Sequence, residues 1–147
     1  MTAETEISNL LYSYAEFMDS GDFAGAADLF RHARLRVDAT SDGTVDSATM
    51  LSLWRAMVIV YPDSTPRTKH LVTNPIIDVD DAGGTATCRS YYTVLQQTED
   101  LALQVIVAGR YHDRFERVDG RWRFCYRDYS MMDQVGDVSQ HLSRKPP

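Results

Sequence analysis

Gly109-Arg110-Tyr111-His112-Asp113-Arg114-Phe115-Glu116-Arg117-Val118-Asp119-Gly120-Arg121-Trp122-Arg123-Phe124 decides the fold of this chain. Aromatic positions recur between charged ones with the two-residue period of a strand that has one buried face. Asp119-Gly120 separates the two alternating arms, and this dipeptide suits the positive backbone angles of a tight hairpin. The stretch predicts two antiparallel strands, Leu101 to Val118 and Arg121 to about Met131. The alternation turns Tyr111 and Phe115 inward and His112 outward.

The strand pattern extends upstream. Thr85 to Thr98 is rich in β-branched and aromatic residues. Asp80-Asp81-Ala82-Gly83-Gly84 reads as a turn. Thr68 to Val79 reads as another strand, and Pro75 within it predicts an edge or a bulge. Before Thr68 the period changes to that of helices. Thr2 caps a first helix running to Met18, with Ile7, Leu10, Leu11, Tyr14, Phe17 and Met18 on one face. Gly21 stops it and Asp22 caps a short second helix. Arg34 to Asp38 alternates like a strand. Asp46 or Ser47 caps a third helix reaching about Tyr61, and Pro62 and Pro66 bracket the loop beyond it. Segregated helices followed by consecutive long strands define an α+β fold, with a curved, largely antiparallel sheet wrapped over the N-terminal helices. Such a cone encloses an internal pocket suited to a small apolar ligand. Residues 1–133 form the single domain, and the polar stretch 134–147 reads as a flexible C-terminal tail.

A chain of 147 residues is long enough for one domain with a real core. The net charge of -6 argues against a nucleic-acid partner. Cys88 and Cys125 lack metal-type spacing and sit in strand-like runs, as buried free thiols do. No basic run followed by an apolar one opens the sequence, and no stretch is apolar enough to cross a bilayer, so a cytoplasmic protein without a membrane partner is expected. The sequence carries no metal-ligand cluster, Gly-rich phosphate loop or nucleophile elbow, and neither a cofactor nor a metal is expected.

A carboxylate that orients a neutral imidazole is a minimal proton-transfer device. Asp19 closes the first helix and His70 opens the first long strand, so the fold decides whether they meet. Tyr14 lies five residues before Asp19, about 140° around an ideal helix, and would flank a pocket from another side. Asn74 shares the face of His70 on a regular strand. Trp54, Met57, Tyr91 and Tyr111 are candidate pocket walls, with plain core packing as the alternative. His32 and His141 are expected at the surface.

Three segments carry a family resemblance: Leu10 to Tyr14 with Asp19-Ser20-Gly21-Asp22-Phe23 and Asp28-Leu29-Phe30; Lys69-His70-Leu71-Val72-Thr73-Asn74; and Gly109 to Phe124. Together they resemble the SnoaL-like branch of the nuclear transport factor 2-like (cystatin-like) α+β cones. Within it the chain is most similar to the scytalone dehydratase and hexachlorocyclohexane dehydrochlorinase group. That resemblance implies that Asp19 and His70 form a catalytic dyad, with Arg127 as a pocket cation. The alternative for Arg127 is an outward strand residue in a basic run. The chain departs from the dehydrochlorinase in having Tyr14 where that enzyme has a lysine on its first helix. It departs from scytalone dehydratase in offering Arg89, Tyr91 and Tyr92, but no histidine, on the neighbouring strand. The resemblance implies a cofactor-independent lyase, isomerase or cyclase acting on a small hydrophobic molecule, and a homo-oligomer, dimer or trimer. A non-catalytic binding protein and a small subunit of a ring-hydroxylating dioxygenase are the alternatives it leaves open.

Overall fold

Thr2 starts the chain's first helix by accepting a hydrogen bond from the Thr5 amide, and Glu4 and Glu6 sit favourably in its first turn. In this computed structural model, which describes residues 1–143, that helix, α1, spans Ala3–Asp19. Gly21, at a φ of 79°, turns the chain out of it. Asp22 then caps α2 (Phe23–Leu29) through the Gly25 amide. Strand β1 (Arg34–Arg36) follows, and Asp46 caps α3 (Ser47–Met57) through the Thr49 amide. Four long strands come next: β2 (Thr68–Asp80), β3 (Thr85–Thr98), β4 (Leu101–Val118) and β5 (Arg121–Asp128). A short β6 (Gln134–Val135) pairs with β4.

The sheet runs β1-β5-β4-β3-β2. Its long strands are antiparallel, and β1 lies parallel to β5, so the sheet is mixed. Register shifts at Thr73/Ile76, Val94/Leu95 and Arg114/Phe115 add bulges, which increase local twist and bend the sheet. Helix α1 packs against both β2 and β5, although β3 and β4 lie between them. Only a curled sheet permits this, so the helix lies inside an open α+β cone. Carboxylates pin both ends of the helix: Glu6 accepts from the Trp122 amide of β5 at 2.9 Å, and Asp19 binds β2.

The core forms where Ile7, Leu11 and Met18 of α1 meet Phe30, Leu35, Phe115 and Phe124. Inward positions alternate strictly along β3, where Ala86, Cys88, Ser90, Tyr92, Val94 and Gln96 are all buried. Cys88 and Cys125 are free thiols.

Two boundaries differ from the sequence pattern. Helix α3 stops at Met57 rather than near Tyr61, because Val58 takes extended geometry and bridges Leu142. β-Branched Val58, Ile59 and Val60 favour that departure. Residues 134–143 are docked rather than loose. Backbone hydrogen bonds join Ile59 to His141 and Ser143 to Met57, both at 2.8 Å. The rest of the expected tail, 144–147, lies outside the described residues.

Gly109 of β4 marks a close approach. A Cβ there would lie 2.3 Å from the Met131 carbonyl oxygen and 2.8 Å from the Tyr92 ring. That carbonyl is already held by the Arg110 amide at 3.0 Å. Gly109→Ala is expected to lower stability by about 1–3 kcal/mol, read as an earlier urea midpoint.

Candidate active site

Asp19, the last residue of α1, reaches β2 with both carboxylate oxygens. Oδ2 accepts the backbone N–H of His70 at 2.8 Å. Oδ1 accepts the Thr68 hydroxyl at 2.8 Å and meets His70 Nδ1 at 2.5 Å. The helix and strand therefore bring together the two residues that the sequence set 51 positions apart. Both side chains are mostly enclosed, His70 at 7% and Asp19 at 11% exposure. Burial alone would raise the Asp19 carboxyl. The His70 side-chain hydrogen bond, His70's charge, its backbone N–H and Thr68 overcome that and hold the carboxyl below its ordinary value. Nδ1 of His70 is committed to Asp19, which leaves Nε2 to face any guest, and Nε2 makes no hydrogen bond among the described residues.

Tyr14 stands over this pair, its ring centroid 6.1 Å from that of His70 in an edge-to-face arrangement. It also lies edge-on to Tyr111 at 6.0 Å and Tyr129 at 6.1 Å, and tilts against Trp54 at 6.2 Å. Tyr111 stacks on Tyr92 at 4.3 Å. Burial, opposed by the charge of Arg127, raises the Tyr14 hydroxyl above its ordinary range, and burial pushes Tyr111 and Tyr129 further. All three phenols are therefore hydrogen-bond donors at neutral pH.

Arg127 occupies the centre of these rings and is fully buried, which excludes the outward alternative. Its guanidinium carbon lies 3.8 Å from the Tyr111 centroid and 4.6 Å from that of Tyr14. It binds Asp113, its cross-strand partner, through two hydrogen bonds of 2.7 and 3.0 Å. Burial opposes its charge, but Asp113 keeps it firmly protonated. The cation is thus already matched by an anion, a relation that an aspartate two residues after Tyr111 foreshadows by alternation alone.

The other expected site residues divide. Trp54 and Tyr111 join the aromatic lining. Met57 is half-buried at the end of α3. Asn74 does not share the face of His70: it falls in the β2 bulge with a φ of 42° and is exposed. The register shift there breaks the alternation that would have aimed it inward. Tyr91 is 57% exposed on the outer face, because its neighbour Tyr92 takes the inward position. His32 and His112 face solvent as expected. His141 does not: it is buried, and Tyr129 also joins the site although the sequence pattern did not single it out. A tyrosine two residues beyond Arg127 was the available signal for Tyr129. For His141 there was none in the periodicity.

The α+β cone that holds this carboxylate and histidine has relatives. A family model described as a SnoaL-like domain matches residues 1–128. The chain belongs to the SnoaL-like domain family. Among solved structures, this SnoaL-like chain is similar to a protein of unknown function from Mycobacterium tuberculosis, with 26% identity, a TM-score of 0.67, and coverage of 92% of this chain and 75% of that one. A Novosphingobium aromaticivorans protein named for scytalone dehydratase is 19% identical, with a TM-score of 0.64 and coverage of 85% and 80%. A β subunit named for an aromatic-ring-hydroxylating dioxygenase of the same organism is 20% identical, with a TM-score of 0.69 and 95% coverage of both chains. Structures described as NTF2-like and cystatin-like also match, in keeping with the cone. No curated protein matches the sequence. Among the described residues no helix is long and apolar enough to cross a membrane, and no three His, Cys, Asp or Glu side chains are grouped to hold a metal ion.

Asp113→Asn is expected to destabilise the fold by about 3–5 kcal/mol, since it strands a buried guanidinium, and pairing it with Arg127→Met should recover much of the loss in chemical denaturation. Acid stability provides a second check. Burial, with the charge of His70 adding to it, pushes His141 down to about 4 from an ordinary 6.5. Between those values the unfolded chain binds the proton and the fold does not, so stability rises with pH across this window and is lost on acidification. His141→Asn should flatten that slope in denaturation midpoints measured from pH 7 to 4, removing up to about 3 kcal/mol of pH dependence.

Proposed function

We propose that this protein is an enzyme acting on a small hydrophobic molecule without a cofactor, with His70 as general base. The observation that carries this reading is the Asp19 carboxylate seated on Nδ1 of His70 at 2.5 Å while Nε2 has no partner among the described residues. Nε2 removes a proton from carbon next to a carbonyl or a leaving group. Asp19 holds the ring in its reactive tautomer and stabilises the imidazolium that forms. The neutral phenol of Tyr14 donates to the oxygen on which negative charge develops. Arg127, closed by Asp113, acts through the rings it touches: it positions Tyr111 and Tyr129 rather than meeting the leaving group itself. Trp54 and Tyr111 supply the flat walls that an aromatic or alicyclic substrate needs. Elimination, dehydration, isomerisation and cyclisation all begin with this proton transfer, and the family contains dehydratase-named relatives.

A binding protein is the second reading, favoured by the dense ring packing around Arg127, which suits holding a guest without converting it. Assembly as a dioxygenase small subunit rests on fold likeness alone. We further read the protein as a cytoplasmic homo-oligomer, with the exposed apolar residues Tyr91, Leu103 and Val105 on the outer sheet face as the contact.

Exchange of the α-protons of 2-tetralone into deuterated water, followed by proton NMR, tests the base directly. The wild-type protein should accelerate exchange, and His70→Ala should remove about 10²- to 10⁴-fold of that acceleration. Exchange that is unchanged in His70→Ala would take His70 out of the mechanism.

A further inference from the structure

Thr68 opens β2 on the face that carries His70, and its side chain is buried. The backbone around it is pinned. Gln96 pairs with Thr68 across the ladder and donates to the carbonyl of Pro66 at 3.0 Å. The Arg67 amide donates to the Thr65 hydroxyl at 3.1 Å, with Arg67 itself at a φ of 56°. A β-branched side chain on so fixed a backbone has few rotamers left. In the one it takes, the Thr68 hydroxyl donates to Oδ1 of Asp19 at 2.8 Å.

Asp19 has three donors, and two of them belong to His70: its backbone N–H on Oδ2 and its ring on Oδ1. Thr68 supplies the third, and among the described residues it is the one donor to Asp19 that lies outside the dyad. It shares Oδ1 with the imidazole. An ionised oxygen accepts more strongly than a protonated one, so this bond favours the carboxylate over the acid. Burial, which would raise the carboxyl, is outweighed by the His70 contacts together with this hydroxyl.

Other charged and titratable groups near the pair do not duplicate this contact. Asp63, Arg67, Lys69 and Glu99 line the open groove onto which Asp19 and Thr68 also face, and their signs balance. Arg67 is moreover paired with Asp63 at 3.3 Å. Tyr14 of α1 stands edge-to-face with His70 and is a neutral phenol. Burial keeps His141 uncharged at neutral pH.

We propose that Thr68 is a positioning residue of the dyad: its hydroxyl holds Oδ1 of Asp19 on the His70 ring and keeps Nε2 free of a proton further into the acid range. This deepens the function proposed above and rests on it for His70 as the base. Two groups in such contact titrate as a unit. The hydroxyl stabilises the anionic state of that unit. Without it the pair takes up a proton at higher pH, and Nε2 is lost as a base sooner on acidification.

Thr68→Val removes the hydroxyl and keeps the buried shape, and two titrations of the whole chain test the consequence. In 2-tetralone exchange the acid limb of the rate should move up by at least about 0.5 pH unit in Thr68→Val, a loss of about 3-fold on that limb. Thr68→Ser, which keeps the donor, should return most of that shift. A merely structural role would lower the rate equally at every pH. The carboxyl carbon of Asp19, followed by NMR and assigned by its loss in Asp19→Asn, should show the same upward move and the same rescue by serine. Thr68→Ala serves as a second hydroxyl-free variant if valine disturbs folding. A limb or a carbon titration that stays put in a folded hydroxyl-free variant, or one that serine does not restore, would overturn the proposal. Wild-type exchange with neither shift removes Thr68 and leaves the base. A carbon shift without wild-type exchange removes His70 as a base and leaves Thr68 as the group that keeps Asp19 ionised.

Discussion

One carboxylate, that of Asp19, joins the helical half of the molecule to the sheet and sets the orientation of His70. Its position is poor for the helix itself. The C-terminal end of a helix carries partial negative charge, and an acid there is disfavoured by roughly 0.3–1 kcal/mol. Glu4 and Glu6 occupy the opposite end, where acids belong. Asp19 is tolerated because three donors from β2 converge on it. Those donors include the strand's own backbone, so the register of His70 and the angle of its ring are fixed together. The feature that closes the cone is thereby the one that orients the imidazole.

The second constraint is the Arg127–Asp113 pair. Sheet register alone places these residues opposite each other on β4 and β5. A fully buried ion pair often stabilises no more than apolar side chains of the same volume. Its contribution here is to arrangement. The planar cation offers its faces to Tyr14, Tyr111 and Tyr129, and rings that would otherwise pack interchangeably gain a preferred partner. The interior is ordered around a charge and remains lined by neutral hydroxyls.

Most of the architecture was legible in the chain. Helix caps at Thr2, Asp22 and Asp46 and the hairpin at Asp119-Gly120 are local signals with local causes, and the structure contains each. Inward Tyr111 and Phe115 followed from alternation. The joining of Asp19 to His70 came from family resemblance, since periodicity cannot report a contact across 51 residues. The error at Asn74 comes from extending a regular period through an irregular place. The bulge at Asn74 reverses the faces of β2, and Tyr91 lost the inward position to Tyr92. Residues 134–143 looked loose because their anchors are backbone groups of the α3–β2 connection and the Gln96 side chain, which leave no mark on local composition. His141 was therefore out of reach.

The bulge in β2 has a further consequence. β2 ends the sheet, and beyond His70, whose amide Asp19 covers, its open edge invites another chain to add itself. Pro75 withdraws one amide from that margin, and the kink at Asn74 breaks its straight run. Lys69, Asp78 and Asp80 line the remainder with charge. The same irregularity that spoiled the prediction for Asn74 discourages stacking of one molecule's border on the next, and so guards against fibrous aggregation.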